Sequence, residues 1–115
     1  MLEPPLQPLR IPTGWTMAWN DFVELNPDPS AAPESDHWLY FHQDLLLLKN
    51  EQRSLLIDVG WYPDGNPTGK FRAVLLQHYE DIEMMRRSWD TPIKSAVSPS
   101  RQEIVAIIEQ WLRTS

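Results

Sequence analysis

Gly65-Asn66-Pro67-Thr68-Gly69-Lys70 is the stretch whose residue types come nearest to a recognisable chemistry. Two glycines ahead of a lysine are parts of a loop that cradles phosphate with its backbone N–H groups. That chemistry needs four residues between the glycines, a Ser or Thr after the lysine, and a helix to follow. Here three residues separate the glycines, Phe71 follows the lysine, and Pro67 carries no N–H. The next run, KFRAVLLQHY, alternates as a strand does. Pro63-Asp64-Gly65 and Asn66-Pro67 are turn formers. The stretch therefore reads as a hairpin loop of six or seven residues.

The other reactive side chains form no motif. His37 and His42 are five apart, which on a helix points them about 140° from each other, whereas metal ligands on one helix face stand four apart. Asp36 and Asp44 beside them do not mend that spacing, and His78 is isolated. The carboxylate pairs Glu34/Asp36 and Asp81/Glu83 lie in polar segments, while acid–base work needs one carboxyl in an apolar pocket. No G-x-S-x-G is present. Ser54 precedes a strand, and Ser95, Ser98 and Ser100 read as loop and cap residues. Absence of Cys removes disulfides and thiol catalysis. No catalytic residue, metal site or cofactor is expected. Asp58 stands apart because it sits inside the apolar run LLIDVGWY. If buried it needs a partner, and a hairpin register opposing it to Arg72 would supply an ion pair. A binding residue and a catalytic acid are the other readings of Asp58.

The elements that must position these residues follow from periodicity. Residues 1–13 form a Pro-rich lead-in, extended and packed along the surface. GWTMAWNDFVELNPDP reads as two short strands about a turn at Asn20-Asp21, with Trp15 and Trp19 sharing one strand face. DPSAAPES is a loop. Ser35 or Asp36 caps a short helix running to about Gln43, and Leu45–Lys49 is a strand closed by the turn NEQR. In the next strand Leu55, Ile57, Val59 and Trp61 take one face, and Leu56, Asp58, Gly60 and Tyr62 the other. Its partner strand is apolar on both sides as well, so this hairpin belongs in the middle of a sheet. EDIEMMRRSWDTPIKSAV offers one turn of helix with a Glu83–Arg87 pair, limited by Pro92. The C-terminal helix is the clearest element. Ser100 to Glu103 is a capping box, Ile104, Ile107, Ile108, Trp111 and Leu112 form one face, and Glu109–Arg113 adds an i, i+4 pair. The expected fold is α+β: one domain over residues 1–115, an antiparallel sheet of about four or five strands, packed by the C-terminal helix and a short helix.

Charge narrows the class of partner. Residues 1–44 hold seven acids and one base, which accounts for the whole net charge of −6, because 9 acids and 9 bases cancel in residues 45–115. An acidic field repels nucleic acid and steers basic partners. The N-terminal MLEPPLQPLRIP lacks the apolar core of a signal peptide, and apolar runs such as Leu45–Leu48 are far short of a membrane span. A cytoplasmic protein without membrane contact is expected.

Ile11-Pro12, Gly14-Trp15, Ile57-Asp58-Val59-Gly60-Trp61-Tyr62, Gly69, Phe71-Arg72, Ile104-Val105 and Trp111-Leu112 occur in an order that spans most of the chain. In that order the sequence resembles small acidic immunity proteins of bacterial toxin–immunity and contact-dependent inhibition systems. The resemblance implies a protein without catalysis that neutralises a basic toxin domain, often a nuclease, by covering its active site. In this reading Glu34, Asp36 and Asp44 steer the partner. Trp38, Trp61 and Tyr62, with Asp64 beside them, supply anchors. The rival reading is a small-ligand-binding domain or minor enzyme with a pocket between sheet and helix, marked by Asp58 or a His at its mouth.

Overall fold

The computed structural model describes residues 3–115. The first two residues of the Pro-rich lead-in lie outside the described residues. Five antiparallel strands make one sheet in the order β1-β2-β3-β4-β5. They are β1 Thr16–Asn20, β2 Leu46–Asn50, β3 Leu55–Tyr62, β4 Lys70–Gln77 and β5 Lys94–Ser98. Helix α1, Ile82–Asp90, links β4 to β5, and α2, Arg101–Thr114, follows β5. A 3₁₀ helix at Asp36–Tyr40 precedes β2. The α+β architecture expected from periodicity is the one the chain adopts.

Period-two alternation gives the sheet two different faces. On the first, Leu46, Leu48, Ile57, Val59, Trp61, Phe71, Ala73 and Leu75 are buried against Ile104, Ile108, Trp111 and Leu112 of α2. Trp38 and Phe41 close this core beside Trp61, with ring centroids 6.1 and 5.1 Å from it. Loop residues Trp15 and Phe22 complete it. On the second face, a smaller cluster of Leu56, Val74 and Leu76 packs with Leu47 and with Met85 of α1. The Ser88 hydroxyl of α1 donates to the Gln77 carbonyl at 2.6 Å and fixes the helix at the end of β4.

Both helices are capped as their sequences require. The Ser100 hydroxyl accepts from the Glu103 N–H at 3.2 Å, and the Asp81 carboxylate accepts from the Met84 N–H at 2.9 Å. Residues 82–90 form a full helix rather than a single turn, because Asp81 starts it and Pro92 stops it only after nine residues. The segment after Pro92 is the edge strand β5, which its sequence did not announce.

Several local expectations give way to tertiary contacts. The hairpin about Asn20-Asp21 does not form. The Asn20 side chain instead accepts from the Phe22 N–H at 3.0 Å, β1 pairs with β2, and Val23 bridges to Leu6 of the lead-in. Trp15 and Trp19 do not share a face, because the register of β1 slips between Met17 and Trp19. Such a bulge inserts one residue and reverses the side-chain parity beyond it. The helix before β2 ends at Tyr40 rather than near Gln43. Glu83 pairs with Arg86, one residue short of Arg87, at 3.0 Å. Glu109 accepts from the Arg10 N–H at 2.8 Å instead of pairing with Arg113. That bond and the Arg101 contact to Gln7 tie the lead-in to α2, and Arg101 also donates to the Asn26 side chain in the loop after Val23.

Candidate interaction site

The seven-residue loop 63–69 is a lid for the core, not a cradle. Gly65 takes a positive φ of 64° and donates its N–H to the Phe41 carbonyl at 2.7 Å. The N–H groups of Asn66, Thr68 and Gly69 bond to Pro63, to the Asn66 side chain and to the Asn66 carbonyl. The donors a phosphate would need are thus already committed inside the protein. The Trp61 indole N–H donates to the Asn66 carbonyl at 2.9 Å and roots the loop on the core.

The two histidines are likewise engaged separately. His37 Nε2 accepts from the Asp28 N–H at 2.9 Å, while His42 Nε2 lies 2.6 Å from the Asp21 carboxylate. Among the described residues no three His, Cys, Asp or Glu side chains converge as metal ligands.

The site that gathers carboxylates and exposed aromatic surface lies on the second sheet face, on the half that α1 leaves open. One cross-strand row there runs Trp19–Leu47–Asp58–Val74–Ser95. Gly60, two residues along β3 from Asp58, lets the chain pass over the sheet. A Cβ at this position would collide with the Gln43 carbonyl and approach the Tyr62 ring to 2.9 Å. The missing side chain allows residues 43–44 to cross here, and the crossing brings Asp44 beside Trp19 and Asp58. The Trp19 indole N–H donates to the Asp44 carbonyl at 2.7 Å, which fixes the ring. Trp19, Asp44, Leu46, Leu47 and Asp58 then enclose an open groove of about 240 Å³. Beyond Asp58, a narrow crevice is lined by Tyr62, Arg72, Val74 and Trp89 of α1.

The Asp58 carboxyl has no close ionic partner. β3 and β4 pair Asp58 with Val74 and Gly60 with Arg72, so the expected Asp58–Arg72 opposition is displaced by one diagonal step. The ion pairs of the described residues are His42–Asp21 and Glu83–Arg86. Burial pushes the Asp58 pKa up to about 6, the neighbouring Asp44 charge adds to the rise, and Arg72 opposes it. The Tyr62 hydroxyl is raised too, first by burial and then by Asp58, with Asp44 and Asp64 contributing.

The structure divides the expected partner-binding residues. Asp44 lines the groove and Tyr62 the crevice beyond Asp58, while Asp64, in the loop after β3, lines neither. Trp38 and Trp61 are corrections: they are 3% and 1% exposed and belong to the core behind the sheet, where no partner reaches them. The aromatic run at the bend alternates faces, so Trp61 turns inward and Tyr62 outward. Glu34 and Asp36 are exposed on the segment that carries Trp38. Neither is among the charges that perturb Asp58 or Tyr62. Of the exposed aromatics that border the groove and the crevice, sequence reasoning missed Trp19 and Trp89, at 53% and 42%. The bulge that turns Trp19 outward leaves no mark in the sequence. Trp89 stands four residues after Met85, a spacing that by itself predicts burial against the sheet, so its partial exposure was not legible either.

No protein-family model, no curated protein and no solved structure matches the chain. No helix among the described residues is long and apolar enough to cross a membrane.

Proposed function

We propose that this protein is a non-catalytic interaction protein, an immunity-type inhibitor that binds a basic toxin domain and occludes it. One observation carries the reading: the exposed aromatics Trp19 and Tyr62 on the open half of the sheet, with Trp89 of α1 at its border, flank the carboxylates of Asp44 and Asp58. Aromatic anchors beside a few charged groups are the usual make-up of binding hot spots. The net charge of −6 favours a basic partner through steering. Trp19 and Tyr62 take the anchoring roles that Trp38 and Trp61 cannot fill. The mechanism is steric and electrostatic cover, with no chemical step. The groove's volume of about 240 Å³ lies below the range of small-molecule sites, roughly 300–1,000 Å³, so the rival ligand pocket would have to be the cleft of about 330 Å³ lined by Trp15, Asn50, Leu112 and Arg113, which holds neither Asp58 nor a His.

The test is co-expression with the toxin domain encoded by the neighbouring gene. A stoichiometric complex and loss of toxicity are expected. The Trp19→Ala/Tyr62→Ala double variant should fold, because both side chains are exposed, yet fail to protect. Absence of a complex at micromolar concentration, or full protection by the double variant, rejects the reading.

A further inference from the structure

We propose that the groove between Trp19 and Asp58 is a socket for a single arginine side chain of the protein partner. The inference rests on the interaction reading above and specifies what the partner places in that site.

Three features of the groove fit a guanidinium on a methylene stem. Leu46 and Leu47 line it with apolar surface, against which the stem of a long basic side chain packs. The Trp19 indole, held by its bond to the Asp44 carbonyl, offers a flat ring for stacking. Asp44 and Asp58 supply two carboxylates from different elements, the loop before β2 and the middle of β3. A planar fork with five donors can reach both carboxylates while stacking, which a compact ammonium cannot.

Local charge selects a cation. Asp58 feels Asp44 as a like charge, and Arg72 approaches from the opposite side, next to Tyr62 and Trp89, without closing an ion pair. Arg72 therefore leaves the Trp19 side of Asp58 free for a second cation. The raised pKa of Asp58 agrees with this arrangement, because the charge of a guanidinium in the groove would offset the cost of desolvation and screen the Asp44 repulsion. The available space matches one side chain better than a drug-sized ligand.

The probe is N-acetyl-L-arginine amide, titrated into the ¹⁵N-labelled full chain at constant ionic strength. N-acetyl-L-lysine amide and N-acetyl-L-citrulline amide serve as comparisons. The expected result is saturable shifts concentrated at the Trp19 indole N–H, Leu47, Asp58 and Tyr62, weaker with the lysine compound and absent with the uncharged one. Asp58→Asn should weaken the arginine compound about tenfold, as expected for loss of a charge-assisted contact. Glu34→Gln should leave it unchanged. Shifts spread evenly over Glu34, Asp36 and the other surface acids would overturn the socket, as would equal binding of the lysine compound or indifference to Asp58→Asn. Failure here leaves inhibition of a toxin intact as a separate result. Groove binding with no toxin neutralised would instead reject the immunity reading and keep the socket.

Discussion

Asp58 shows how one residue can be costly to the fold and useful to a site. Its carboxyl sits among apolar neighbours with Asp44 close by, and its pKa rises from 3.8 to about 6. The folded protein therefore holds this proton more tightly than the unfolded chain does. By linkage, stability falls as pH rises from about 4 to about 6 and levels off above that range. Asp58→Asn is expected to stabilise the protein at pH 7 by about 1 kcal/mol, after discounting for solvent screening of a group that is only partly buried. The gain should shrink as pH falls through 6 and vanish toward pH 3, below the unfolded value of 3.8, where the carboxyl is mostly protonated in both states. Urea unfolding at the two pH values checks this, and an equal gain at both would mean that the carboxylate is solvated normally. The sequence marked Asp58 as a charge inside an apolar strand. It did not reveal that Arg72 stands one diagonal step away, since register depends on how the seven-residue loop closes.

Among the elements, β3 and its crossing chain do most to assemble the groove. Gly60 is the hinge of that arrangement, because residues 43–44 pass where its side chain would be. Gly60→Ala is expected to destabilise by about 2 kcal/mol, the usual scale of overpacking against backbone that must move. It should also shift the Trp19 indole resonance, since displacement of Asp44 disturbs the Trp19 hydrogen bond. Denaturant unfolding with a ¹⁵N spectrum of the same variant measures both effects, and an unmoved indole signal would detach the crossing from the groove. The β3–β4 hairpin and α2 were legible because their periodicity is strong and their turn and cap residues agree with it. Strand β1 was legible as a strand but not in its partner, and β5 was not legible at all, because mostly exposed edge residues acquire their pairing from the strand beside them.

For the whole molecule, the acidic surface and the aromatic groove should control different steps of association. Charges outside the contact set the rate of encounter, and buried anchors set the rate of escape. Charge reversal at Glu34 and Asp36 is expected to lower the association rate with a basic partner about threefold at low salt, with little change in dissociation. Charge reversal at Asp44 should also accelerate dissociation, because Asp44 lines the groove itself. Stopped-flow association over a salt series separates the two, and an unchanged affinity for the triple reversal would reject an acidic face as the steering surface. The fold class, the central hairpin, the capped C-terminal helix and the acidic N-terminal third followed from the sequence alone, because each depends on local pattern or simple charge. Which aromatics face solvent did not. A single inserted residue in β1 turns Trp19 outward while Trp15 is buried, and the packing of the 3₁₀ segment behind β3 draws Trp38 into the core. Such choices are made by the closing of a sheet between two layers, where contacts distant in sequence decide what local spacing leaves open.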